Sequence, residues 1–259
     1  MILNISPTPY PDVNLVLARL LIDARAVLEG QFVGLYLYGS LSSGDFHAER
    51  SDIDFVVAVS GRLPDECIRK LEEMHRLLWQ SGLKWANRLE GSYVPLEFLR
   101  RHTLNCPPCP TVNEEKFFLG EMGSDWIFQR FILREMGVVV AGPQPKSLID
   151  PVSKADLRRG VVGFVREWWA PMLEKPERLA SREYQAYAIL SMCRAMYTLE
   201  TGKIALKAKS AEWMKTRIGE MEKRLIEEAL NWPEGPQPDR LAETVGFIRR
   251  VVEKTAAHP

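Results

Sequence analysis

The sequence predicts an α/β (α+β) fold in two parts: an N-terminal domain with a mixed β-sheet flanked by helices over residues 1–150, and an all-α helical bundle over residues 151–259. Three observations carry this. Short apolar runs alternate with helical periods in the first half. The run Gly142-Pro143-Gln144-Pro145 punctuates the chain. Beyond it every periodic segment is helical.

The elements follow in order. Residues Asp12 to Glu29 place Val13, Val16, Leu17, Leu20, Leu21, Ala24 and Leu28 on one helical stripe, and Gly30 ends that helix. Phe32 to Tyr38 is a strand, and Ser40 to Phe46 starts a short helix or turn. Ile53 to Val59 is apolar apart from Asp54, as in a buried central strand. Asp65 to Gln80 is a helix, started at Pro64 and stopped by Gly82. Trp85 to Phe98 is extended, with interruptions at Gly91 and Pro95. His102 to Thr111 is a loop, Asp125 to Glu135 a helix and Gly137 to Ala141 a short strand.

In the second half, Ser153 to Trp169 is a helix with Asp156 three residues after the capping serine, a partial capping box. Glu183 to Thr201 is a helix ended by Gly202. Ala211 to Trp232, ended by Pro233, and Asp239 to Lys254 complete the bundle.

Composition narrows the function. The 259 residues are 46% hydrophobic, enough for real cores. Lys+Arg and Asp+Glu number 34 each, so the net charge is zero. A nucleic-acid partner calls for a basic excess, and none is expected here. No signal peptide opens the chain and no apolar run spans a bilayer, so no membrane partner and a cytoplasmic location are expected. Cys106-Pro107-Pro108-Cys109 has CxxC spacing, but no second pair completes a zinc site. It reads as a surface loop carrying two thiols.

The chemistry lies in Tyr38-Gly39-Ser40 followed by Ser51-Asp52-Ile53-Asp54. Gly39, without a Cβ, lets backbone approach a phosphate, and Ser40 adds a hydroxyl. The N–H groups of the next turn favour negative charge. Asp52 and Asp54, two apart on a strand, point to one side and can hold Mg²⁺. Ser51 orients those ligands or contacts a phosphate. Asp54 within an apolar run is costly to bury without a partner, which argues for function. This is minimal equipment for moving a nucleotidyl or phosphoryl group. Glu90, on the third strand, is a third metal ligand or a general base, with Glu97 as its competitor.

These residues resemble the DNA-polymerase-β-like nucleotidyltransferase superfamily, whose pattern is a glycine-serine pair followed by D-x-D. Within it, the chain is similar to the aminoglycoside adenylyltransferases of the streptomycin/spectinomycin type. Further segments carry that likeness: Asp125 with Arg134-Glu135, Gly142-Pro143, Asp150-Pro151-Val152, Arg194, Tyr197, Thr201-Gly202-Lys203-Ile204-Ala205, Lys207 and Trp213. It spans Leu35 to Trp213.

The resemblance implies ATP as co-substrate, Mg²⁺ (two ions) on Asp52 and Asp54, and Glu90 as catalytic base. It also implies that Ser40 contacts the nucleotide phosphates and that Arg194 and Lys207 grip the triphosphate. The implied acceptor is a cationic, aminoglycoside-like molecule. The family's streptomycin-recognising segment carries an aromatic and acids. The corresponding region, with Trp168, Trp169, Glu174, Glu177 and Glu183, does not match it one to one. The competing readings are an enzyme that modifies another small molecule or a protein hydroxyl, and a non-catalytic nucleotide-binding regulator.

Overall fold

The computed structural model describes residues 6–48, 51–103, 106–113, 115–232 and 239–258. The chain forms two compact units: residues 1–122 with 129–151, and residues 123–128 with 152–259.

In the first unit, helix α1 (Pro11–Leu28) starts with proline at its first turn, where a missing N–H costs nothing. It ends at Glu29, which has φ +48°. Strand β1 (Phe32–Leu37), helix α2 (Gly39–Ser43), strand β2 (Ile53–Val59), helix α3 (Asp65–Trp79) and strand β3 (Leu89–Pro95) follow. Helix α4 (Leu96–Arg100), strands β4 (Cys109–Asn113) and β5 (Lys116–Gly120), helix α5 (Trp126–Met136), strand β6 (Val138–Ala141) and helix α6 (Pro145–Leu148) come next.

The sheet has six strands in the order β5-β4-β3-β2-β1-β6. β2 and β3 are parallel, and the other neighbours are antiparallel. It is therefore the mixed sheet the sequence predicts. Side chains alternate along each strand. Leu37, Ile53, Phe55, Val57, Leu89, Tyr93 and Val112 pack with the apolar stripes of α1 and α3 in one buried cluster. The other face presents Asp54, Glu90, Ser92, Thr111 and Asn113.

The second unit holds α7 (Lys154–Phe164), a π-helical turn at Val165–Trp169, and α8 (Arg182–Thr201). Helices α9 (Lys207–Lys215), α10 (Glu220–Leu230) and α11 (Leu241–Ala256) follow. The capping box at α7 is complete: Ser153 Oγ accepts the Asp156 N–H, and the Asp156 carboxylate accepts the Ser153 N–H. A buried cluster around Trp169, Ile189, Met192, Cys193, Ile226, Phe247 and Ile248 forms its core.

Three expectations need correction. The segment expected as a loop to Thr111 ends earlier, because Cys109 begins β4, and a further edge strand, β5, follows it. The Cys-Pro-Pro-Cys run hides this, since prolines weaken a strand signal. Cys109 is buried, so the pair does not lie wholly on the surface. The helix expected over Ala211 to Trp232 is two helices, because the chain turns between Thr216 and Gly219; its expected stop, Pro233, lies outside the described residues. Among the described residues, no helix is long and apolar enough to cross a membrane.

Candidate active site

The site is built at the ends of β1, β2 and β3. Tyr38 leaves β1 extended and donates its N–H to the Asp54 carbonyl at 3.1 Å, continuing the β1–β2 ladder. Gly39 then turns the chain with φ +61°, a conformation that suits glycine. A Cβ there would lie 1.9 Å from Asp54 Oδ2. The loop and the second aspartate are thus in direct contact. Within α2, Ser42 Oγ donates to the Gly39 carbonyl at 3.0 Å and Ser43 Oγ to the Ser40 carbonyl at 3.3 Å.

Ser51 has a local task. Its hydroxyl accepts the His47 N–H and its own N–H reaches the His47 carbonyl, both at 2.9 Å. Arg88 Nη1 donates to the Ser51 carbonyl at 3.4 Å. These bonds hold the approach to Asp52, which precedes β2 and is half-buried.

Asp54 and Glu90 are register partners on the parallel strands β2 and β3. Partners in register project to the same face, and neighbouring strands lie about 4.8 Å apart. Both carboxylates are half-buried. Glu97 lies on α4 beyond the end of β3 and is exposed, outside this register. Asn113 is the β4 partner of Glu90, and its Nδ2 donates to Glu90 Oε1 at 2.9 Å. One row further, the Ser92 and Thr111 hydroxyls meet at 3.0 Å.

Mg²⁺ fits this donor chemistry, which consists of carboxylate oxygens. Among the described residues, no three His, Cys, Asp or Glu side chains are gathered into a metal-holding group.

In the second unit, Arg194 lies half-buried on α8 and Lys207 is the exposed first residue of α9. Between them, α8 stops at Gly202, φ +64°. Thr201 Oγ1 donates to the Tyr197 carbonyl at 2.7 Å and accepts the Lys203 N–H at 3.2 Å. The Tyr197 and Trp213 rings meet edge-on at 5.4 Å, and the Arg217 guanidinium lies 4.0 Å above Trp213. Trp169 is fully buried whereas Trp168 is 42% exposed, and Glu174, Glu177 and Glu183 are exposed.

Two residues of the polar network escaped sequence reasoning. Asn113 closes β4, a strand whose first three residues fall in the expected loop and whose end carries no strand pattern of its own. Glu167 accepts the Ser124 N–H at 2.9 Å and the Ser124 hydroxyl at 2.8 Å. Burial, and secondarily the negative charge of Glu167, pushes the nearby Asp125 carboxyl up to about 6.

A nucleotidyltransferase domain model matches residues 25–105, and a model described as aminoglycoside adenylyltransferase, C-terminal domain, matches residues 147–258. An aminoglycoside (3'')(9) adenylyltransferase of Escherichia coli is 26% identical over 87% of this chain and 86% of its own. A spectinomycin 9-adenylyltransferase of Staphylococcus aureus is 28% identical over 70% of each chain. The crystal structure of spectinomycin adenyltransferase AAD(9) from Enterococcus faecialis with ATP and spectinomycin has a TM-score of 0.71 and 17% identity, and covers 94% of this chain and 99% of that one. Its likeness extends the shared fold across both units. With the two models matching separate stretches of the chain and the curated relatives spanning both, the chain belongs to the aminoglycoside nucleotidyltransferases and is an enzyme of the adenylyltransferase kind.

Proposed function

We propose that this chain transfers AMP from ATP to a hydroxyl of an aminoglycoside-type antibiotic, with spectinomycin as the first acceptor to test and streptomycin as the second. The carrying observation is the in-register pair Asp54 and Glu90 beside the Gly39 turn. Both sets of curated relatives have names that include 9-adenylylation, and three are named for spectinomycin itself, which favours it. The partial match of the Trp168–Glu183 region to the streptomycin-recognising segment points the same way.

In this reading Glu90 takes the proton from the acceptor hydroxyl. The hydroxyl oxygen forms a bond to the α-phosphorus of ATP as the bond to the β-phosphate oxygen breaks, and pyrophosphate leaves. Ser40 and the backbone after Gly39 contact the phosphates, while Arg194 and Lys207 offer cationic groups to the triphosphate. Ser51 shapes the turn into Asp52. Asp52 and Asp54, with Glu90 beside them, would hold Mg²⁺ (two ions). Bound there, Mg²⁺ supplies charge stabilisation for the phosphoryl oxygens and the leaving pyrophosphate. Carboxylates attract a cationic acceptor. The four free cysteines and the use of ATP suit the cytoplasm. No nucleic-acid or membrane partner is required, and antibiotic resistance is the proposed consequence.

The test is pyrophosphate release with Mg²⁺-ATP and spectinomycin or streptomycin, in the wild-type chain and in Glu90→Gln. Release that depends on one acceptor and is lost in Glu90→Gln, with ATP binding retained, supports the proposal. A full rate in Glu90→Gln removes the base assignment. ATP binding without release for either acceptor moves the function to a different hydroxyl substrate, a protein hydroxyl or a regulatory role.

A further inference from the structure

We propose that Asn113 is a positioning residue for the transfer reaction, its side-chain amide holding the Glu90 carboxylate in the orientation from which it accepts the proton of the acceptor hydroxyl. This rests on the reading of Glu90 as the base.

The geometry comes from strand register. Asn113 closes β4 directly opposite Glu90, and its amide donates to Oε1 at 2.9 Å. A carboxylate only accepts hydrogen bonds, so the amide must present its nitrogen. The terminal torsion of a glutamate is broad, and one fixed donor removes much of that freedom. A base that must meet a hydroxyl at hydrogen-bond distance gains from being aimed in advance.

The residue type is also informative. Asparagine is disfavoured in strands, so its presence in this row is not explained by sheet preference. It is a neutral donor, which orients the carboxylate without placing a full positive charge on it. Lys116 is the β5 register partner of Asn113. The row across the sheet is therefore Asp54, Glu90, Asn113, Lys116. Asn113 keeps the Lys116 backbone one strand further from Glu90, a separation of two strand spacings, about 10 Å. A direct ion pair would favour the carboxylate as an ion and weaken it as a base. The amide also faces Glu90 from the side opposite Asp54, so Glu90 sits between a like charge and a donor.

The experiment uses the full-length chain and measures steady-state pyrophosphate release with Mg²⁺-ATP and spectinomycin. Asn113→Ala and Asn113→Asp, the second nearly isosteric but without the donor, should each lower kcat by about 10- to 100-fold, the range for losing a group that orients a functional ligand. KM for ATP should stay within about twofold, because the amide contributes to the reaction rather than to nucleotide binding. Thermal melting should stay near wild type, since Asn113 is exposed. Added to Glu90→Gln, Asn113→Ala should slow the enzyme no further, because the two act as one unit. A wild-type kcat in both Asn113 variants overturns the proposal. So does a loss of rate that follows a lower melting temperature, or an undiminished extra loss in the Glu90→Gln background. If Glu90→Gln itself is fully active, the base assignment fails, and that result is separate from any of these. Crystals of the wild type and Asn113→Ala give a readout independent of the acceptor. A turned Glu90 carboxylate in the variant supports the proposal, and an unchanged one overturns it.

Discussion

Gly39 and Asp54 are in contact so close that a Cβ on the glycine would stand 1.9 Å from Asp54 Oδ2. The turn proposed to meet the nucleotide and the carboxylate proposed to meet the metal are therefore one packed unit. The separation of fifteen positions in sequence conceals it.

Gly39→Ala should strike this unit twice. The φ of +61° costs a non-glycine residue about 1 kcal/mol, and the new methyl group must displace the Asp54 carboxylate. The expected result is loss of at least about 100-fold in kcat/KM, since misplacement by an ångström is that costly, with a smaller fall in melting temperature. Steady-state kinetics and a melting curve check it. An alanine variant with wild-type kinetics would show that the contact has no catalytic weight.

Gly163 predicts a purely structural effect. It lies within α7, where a Cβ would meet Ser124 Oγ at 2.1 Å and Glu167 Oε1 at 3.3 Å. Helix propensity alone says that Gly163→Ala stabilises by about 1 kcal/mol. The clash with a hydrogen-bonded Ser124–Glu167 pair outweighs that gain, because overpacking typically costs about 1–3 kcal/mol. Urea unfolding should show a less stable variant. A more stable one would mean that the pair yields freely.

Much of this architecture is legible in the sequence, for physical reasons. β2 declares itself because six of its seven residues are apolar, and a central strand must be apolar on both faces. Asp54 stands out against that run. α8 is bounded by a capping Ser181 and a left-handed Gly202, both local signals. β4 and β5 are illegible because β4 docks on β3 across 23 positions of sequence and the edge position of the pair tolerates proline and polar residues. Asn113 went unseen for that reason: its role depends on register with β3, which no local pattern records. Glu167 was hidden similarly, since its partner Ser124 is 43 positions away.

His75 makes stability depend on pH. It is fully buried, shares a 2.8 Å hydrogen bond with the Tyr93 hydroxyl through Nε2, and burial pulls its pKa from 6.5 down to about 3. Above pH 6.5 it is neutral in both folded and unfolded chains, so its titration adds no pH dependence there. Below 6.5 the unfolded chain takes up a proton that the folded chain refuses. Stability should therefore fall by about 1.4 kcal/mol per pH unit from this group as pH drops from 6.5 towards 3. His75→Phe should be less stable at neutral pH, because Tyr93 loses its partner, yet should show a flatter decline over the acid range. Denaturant unfolding of both proteins between pH 7 and pH 4.5 decides it. Parallel declines would assign the acid sensitivity elsewhere.

Asp54→Asn should separate stability from activity. Asp54 and Glu90 stand directly opposite each other on neighbouring strands, and like charges so placed destabilise a sheet by roughly 0.2–1 kcal/mol. The isosteric amide removes that repulsion and keeps the shape that packs against Gly39. In metal-free buffer the variant should melt at or slightly above the wild-type temperature. It should nevertheless lose nearly all pyrophosphate release, because a neutral amide is a far poorer Mg²⁺ ligand than a carboxylate. Mg²⁺ added with ATP should raise the melting temperature of the wild type more than that of the variant, since only binding to the folded state stabilises it. Equal Mg²⁺-dependent shifts in the two proteins would show that the ion does not use Asp54. A marked loss of stability without metal would show that Asp54 is held mainly for the fold, and that the paired carboxylates carry no stored cost for function to exploit.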